Sequence, residues 1–152
     1  MTTRERNRYL LCQVSGEKLP GGRARMEAVQ ESFRESVLSH WGELGFSTFG
    51  TTSRMIISFI DTCGLFIIRV PMKAQTESLM ALAAINSISS RPVSVRVLFT
   101  SGRLKNCVRA TVDHVISWRN NLPNDYAVPR RDHLNQQVRK IVQELHSLPG
   151  YA

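Results

Sequence analysis

The chain has 152 residues, 42% of them hydrophobic and 21% charged, which is enough apolar material for one buried core and too little charge for wholesale disorder. Twenty Lys and Arg, most of them Arg, face twelve Asp and Glu, and the net charge of +8 makes a polyanion the first partner to consider. Cys12, Cys63 and Cys107 are too few and too scattered for a disulfide framework, the opening MTTRERNRYLLC lacks the apolar segment of a secretory signal, and Asp61, Gly64 and Arg69 interrupt the most apolar stretch, Met55 to Met72, so no membrane partner is expected.

A basic arm carrying Arg4, Arg6 and Arg8 leads into Tyr9 to Val14, an apolar β-leaning run closed by Ser15-Gly16. After the break at Leu19-Pro20-Gly21-Gly22, Met26, Val29, Phe33, Val37, Trp41 and Leu44 recur at steps of three and four and predict an amphipathic helix ended by Gly42 or Gly45. Met55 to Ile60 and Leu65 to Val70 flank Asp61-Thr62-Cys63-Gly64 and predict a β-hairpin, with Gly64 supplying a positive φ. Pro71 stops the second strand of that hairpin. Glu77 to Ile88 predicts a second helix, halted before Arg91-Pro92. Val93, Val95, Val97 and Phe99 alternate with Ser94, Arg96, Leu98 and Thr100, the period of a half-buried strand. Leu104 to Trp118 follows as a third helix, buried through Leu104, Val108, Val112, Val115 and Trp118. Asp132 caps a last helix with Leu134, Val138, Ile141, Val142 and Leu145 on one face.

The order β-α-β-β-α-β predicts an α+β sandwich of the ferredoxin-like, split-βαβ kind, RRM-like in its order, with an antiparallel sheet and additional C-terminal helices. Residues 1–7 read as the arm, 8–121 as the α/β domain, and 122–152 as a linker with the amphipathic C-terminal helix. Helices on one face of such a sheet leave the other face open to a ligand or a partner.

No catalytic or metal-binding constellation is expected. His40, His114, His133 and His146 stand singly, and neither a metal-ligand spacing nor a Gly-rich phosphate loop occurs. Cys107 reads as a packing thiol. The third strand has the single aromatic Phe66, not the aromatic pair with which RNA-recognition domains stack bases. Cations gather instead in three places: Arg4, Arg6 and Arg8; Lys18, Arg23 and Arg25; and Arg103, Lys105 and Arg109. The last group follows Thr100-Ser101-Gly102, a strand-to-helix turn whose free N–H groups suit a phosphate. Arg4, Arg6, Arg8, Ser101, Gly102, Arg103, Lys105 and Arg109 are therefore the candidate RNA-binding residues. The rival readings are a protein-only interaction module of ferredoxin-like fold, an RNA-binding domain of other affiliation, and a small enzyme acting through Cys107 or a histidine.

Three runs also resemble a known family. Arg8-Tyr9-Leu10-Leu11-Cys12, Asp61-Thr62-Cys63-Gly64-Leu65-Phe66-Ile67-Ile68-Arg69 and Ser101-Gly102-Arg103-Leu104-Lys105-Asn106-Cys107 are similar, in order and in setting, to the opening strand, the hairpin and the strand-to-helix turn of the Pop-five/Rpp-fourteen family of small subunits of ribonuclease P and ribonuclease MRP. The likeness covers Arg8 to Asn120. It departs at Arg103, where the family commonly has Thr, and in the C-terminal helix, where many eukaryotic members have an acidic tail. The resemblance implies a non-catalytic subunit of an RNA-based endoribonuclease that removes the 5′ leader of precursor tRNA. It implies as partners the ribonuclease P RNA or the MRP RNA, precursor tRNA, a TIM-barrel-like protein subunit and further subunits. No cofactor is expected on the protein, the Mg²⁺ residing on the partner RNA. The implied location is the nucleus and nucleolus, or the cytoplasm in a source without a nucleus.

Overall fold

A computed structural model describes residues 6–16, 23–48, 55–60, 63–121, 128–149 and 151. The apolar runs separated by turns form β1 (Asn7–Gly16), β2 (Ile56–Ile60), β3 (Leu65–Pro71), β4 (Ser87–Ile88) and β5 (Arg91–Ser101). The stripes at helical spacing form α1 (Arg23–Thr48), α2 (Gln75–Ala83), α3 (Leu104–Asn120) and α4 (Val128–His146). The strands lie in the order β2-β3-β1-β5-β4, and each neighbouring pair is antiparallel. With β5 in the place of the fourth long strand, this is the expected ferredoxin-like sandwich.

At the β2-β3 turn Gly64 sits at φ 68. A Cβ there would collide with the carbonyl oxygen of Val14, while the Val14 N–H donates to the Gly64 carbonyl at 2.9 Å. Glycine is needed here for both reasons, backbone conformation and close approach. Gly42 kinks α1 with φ 69 and ψ −172, but helix resumes beyond it to Thr48, so neither Gly42 nor Gly45 ends the element as expected. Asp61, Thr62, Gly21 and Gly22 lie outside the described residues.

The second predicted helix is shorter than its sequence pattern. A 3-10 turn, Met72–Ala74, precedes α2, and α2 ends at Ala83. Ile85 stays buried from the link after α2, and Ile88 from a tight hairpin in which Ser89 (φ 52) and Ser90 (φ 63) join β4 to β5. Two consecutive positive φ values are the geometry that matches strand twist in a two-residue loop, usually supplied by Asn or Gly. The serines gave no such signal. The last helix likewise starts at Val128, ahead of the predicted cap Asp132, with Pro129 in the first turn where its missing N–H costs nothing.

Both faces of the sheet are covered, which corrects the expectation of an open one. Leu10, Phe66, Ile68 and Val70 pack with Val29, Phe33 and Val37 of α1 and Ala81 and Leu82 of α2. On the other face Leu11, Leu65 and Ile67 meet Leu104, Cys107, Val108 and Val115 of α3, with Val138 and Leu145 of α4 completing the layer. The consecutive burial of Leu65, Phe66, Ile67 and Ile68 follows. An uninterrupted aliphatic run is what a strand covered on both sides requires. Each such side chain contributes about 1.5–3 kcal/mol through burial.

The β1-β5 register slips between Leu11 and Cys12, which pair with Phe99 and Val97, leaving Leu98 as the extra residue of a bulge. Val93, Val95 and Val97 therefore pack toward α1 and α2, whereas Leu98 joins the α3-α4 layer and Phe99 is 37% exposed. The simple alternation holds only as far as Val97.

Candidate nucleic-acid interface

The pairing of β1 with β5 brings together two groups that lie far apart in sequence. Tyr9 pairs with Ser101, so Arg8, one residue earlier, lies beside Gly102. An added Cβ on Gly102 would stand 2.9 Å from Nη1 of Arg8 and 3.7 Å from its Cζ, which places the guanidinium directly against the glycine. No positive φ is needed at Gly102. Its small size serves the arginine, a different reason from the turn conformation that the sequence suggested. Nη2 of Arg8 reaches Sδ of Met72 at 3.8 Å, and its Nε is buried without a hydrogen-bond partner among the described residues. Arg8 is thus pinned between the turn and the residue that follows β3.

Arg6 stands at the same end of the sheet, its carbonyl accepting from the Met72 N–H at 2.8 Å. Asn7 already pairs with Pro71, so the last two residues before Arg8 are tied to the sheet. Arg6, Pro71, Met72 and Lys73 line a shallow groove of about 260 Å³. Lys73 is a cation that the sequence reading did not select, because only the β1-β3 register places it next to the arm. Arg4 and Lys18 lie outside the described residues, as does the side chain of Arg23; Arg25 is half-buried on α1.

At the turn, the Ser101 hydroxyl accepts the Arg103 N–H at 3.1 Å. Arg103 is extended (φ −122, ψ 126), and the first bond within α3 runs from the Cys107 N–H to the Arg103 carbonyl at 3.3 Å. The amides of Leu104, Lys105 and Asn106 precede that bond and form the electropositive end of the helix. Leu104, Cys107, Val108, Thr111 and Val115 face the core, which turns Lys105 and Arg109 outward, one turn apart and both exposed. Nζ of Lys105 lies 6.0 Å from the ring centroid of Tyr151, so the C-terminal segment folds back beside this helix end. Arg6, Arg8, Ser101, Gly102 and Arg103 form one contiguous basic edge, continued along α3 by Lys105 and Arg109.

Nucleophilic chemistry finds little here. Burial pushes the Cys107 thiol up to about 12 from an ordinary 9.0 and the Cys63 thiol up to about 11, and it raises Cys12 further still. Thiols held protonated are poor nucleophiles and poor metal ligands. Nδ1 of His40 lies 2.7 Å from the Ser36 carbonyl, His146 packs on Tyr151 at 5.1 Å, and His114 and His133 are exposed. Among the described residues no three His, Cys, Asp or Glu side chains converge on a metal site, and no helix is long and apolar enough to cross a membrane.

Comparison with known proteins agrees with this architecture. The sequence model of the Rpp14/Pop5 family matches residues 8–112, a span that includes β1 through the first half of α3 and with it Arg8 and the whole turn. No curated protein sequence matches the chain. Among solved structures, a chain from the cryo-EM structure of yeast ribonuclease MRP has a similar fold, with a TM-score of 0.50 and 13% sequence identity over 95% of this chain and 96% of that one.

Proposed function

The chain belongs to the Rpp14/Pop5 family, and on that premise we propose that it is a non-catalytic protein subunit of a ribonuclease P or ribonuclease MRP ribonucleoprotein, one that binds and braces the catalytic RNA for removal of the 5′ leader from precursor tRNA. The observation that supports this reading best is the joining, by the β1-β5 register, of Arg8 and Gly102 with the turn that opens α3. That edge offers fixed cations and free helix-end amides to phosphate oxygens, and it offers no side chain poised to attack them. Contacts of this kind set position and register, not base sequence. Recognition is therefore by shape and charge, as suits A-form RNA, whose deep groove hides its base edges.

In this reading the RNA and the Mg²⁺ it holds supply the cleavage chemistry. The protein subunits of the same particle, a TIM-barrel-like one among them, are its neighbours, and its place is the nucleus and nucleolus, or the cytoplasm of a source without a nucleus. Purification of the tagged chain from its own cells, followed by sequencing of the RNA that accompanies it, tests the proposal. Enrichment of one structured RNA together with precursor tRNA is the expected result. Recovery of protein partners free of RNA favours the protein-only module and refutes it.

A further inference from the structure

Tyr9 and Arg69 pair directly across β1 and β3, so their side chains are neighbours on one face of the sheet, and Ser101 flanks Tyr9 on its other side. They open into a pocket of about 320 Å³ whose remaining walls include Ile56, Ile57, Leu148 and Pro149. Both polar members are half-buried, and the Arg69 guanidinium finds no hydrogen bond or ion pair among the described residues. A pocket walled mainly by apolar residues, with one aromatic ring and one cation unmatched among the described residues, in a chain of net charge +8, suits an anion that brings a flat apolar group with it. The volume stands at the lower end of the range for small-molecule sites. It is too small for a paired stem.

We infer that this pocket receives one unpaired nucleotide of the bound RNA, its base against Tyr9 and its phosphate on Arg69. The inference rests on the RNA-binding reading above and adds to it a discrimination that the basic edge lacks. Only an unpaired nucleotide can turn a free base face toward an aromatic ring, since the bases of a helix are stacked on one another. The placement is consistent with a strand that continues toward the turn. Arg69, Tyr9 and Ser101 occupy three adjacent strands, so Arg69 lies about 9–10 Å, two strand spacings, from the residue that opens the basic turn, with Tyr9 between them.

The test uses the full chain and two stem RNAs of equal length, one fully paired and one with an internal unpaired loop, with binding followed by fluorescence anisotropy. Wild type is expected to prefer the looped RNA. Tyr9→Leu should weaken that complex by about fivefold or more, the loss of one base stack, while leaving the paired RNA unaffected. Arg69→Gln should weaken the same complex and flatten its log-log salt dependence by roughly 0.7, the value for one phosphate of a single strand. Tyr9→Phe and Arg69→Lys keep the ring and the charge and should restore most of the affinity, which separates the contact from damage to the sheet. If wild type binds both RNAs and the variants shift neither, or shift both equally, the pocket is not the site and the RNA-binding reading stands without it. If wild type binds neither RNA, both fail. Unchanged RNA binding combined with loss of a companion protein subunit would give the pocket to a protein and overturn the inference.

Discussion

Replacing Arg103 and Lys105 together by Ala isolates the charge of the basic edge from its architecture. Both side chains are exposed, neither faces the core, and the contact of Lys105 with Tyr151 is a long one at 6.0 Å. An exposed cation-π contact is worth about 0.5–1 kcal/mol, so the thermal midpoint should move by only a few degrees. Each phosphate neutralised on a duplex contributes roughly 0.9 to the log-log salt slope, and loss of two such contacts flattens it by up to about 1.8. Between 50 and 200 mM salt the wild-type affinity should then fall by about twelvefold more than that of the variant. Anisotropy titrations of one structured RNA at four salt concentrations measure this directly. Arg119→Ala, which removes an exposed charge from the last turn of α3, away from the turn, is the control and should leave the slope alone. Parallel lines for wild type and the double variant would refute phosphate contact at this turn, and a collapse of the thermal midpoint would show that the residues hold the fold instead.

Gly102→Val should lower RNA affinity with little loss of stability, because its side chain displaces the tip of Arg8 and meets no backbone; a binding assay paired with a thermal melt separates the two effects. Gly64→Ala should do the opposite, destabilising the chain by about 2 kcal/mol or more in a denaturant titration, since a left-handed backbone and the Val14 carbonyl both reject its methyl group. Alkali should also destabilise. Cys12, Cys63 and Cys107 have thiols raised by burial, so the unfolded chain releases their protons first; the associated stability is complete below pH 9 and is lost as the pH climbs toward 12, by at most about 1.4 kcal/mol per pH unit for each thiol in urea titrations at successive pH values. Deleting residues 128–152 removes Val138 and Leu145 from the layer over Leu11 and Ile67 and should convert a monodisperse sample into one that aggregates, as sedimentation would report.

The sequence was most legible where a single local signal decided the outcome. The spacing of Val29, Phe33 and Val37, the glycine at the fourth position of the hairpin turn and the alternation of Val93, Val95 and Val97 each specify an element without reference to the rest of the chain. What escaped notice depends on pairs distant in sequence. Lys73 and Arg69 join the basic edge and the pocket only through the registers Asn7 with Pro71 and Tyr9 with Arg69. The run Leu65-Phe66-Ile67-Ile68 is what a doubly covered strand requires, yet the order of elements pointed to an open face, and an aliphatic run of that length does not say which helices supply a second layer. The 3-10 turn at Met72 and the Ser89-Ser90 hairpin were hidden for another reason: their residues have little intrinsic preference for those conformations, and packing of Ala74 and Ile88 imposes them.

The Tyr9–Ser101 pair has a consequence for the moment at which the molecule becomes able to work. The two residues are partners at one end of the β1-β5 ladder, yet most of the chain is synthesised between them. At about 5–20 residues per second, roughly 5–20 s pass between the emergence of one and the emergence of the other. During that interval Arg8 has no turn to rest against, and the aliphatic face of β3 waits still longer, until α4 leaves the ribosome. A nascent chain therefore presents its greasiest strand before its cationic edge exists, and chaperones have the first opportunity to meet it, ahead of any RNA.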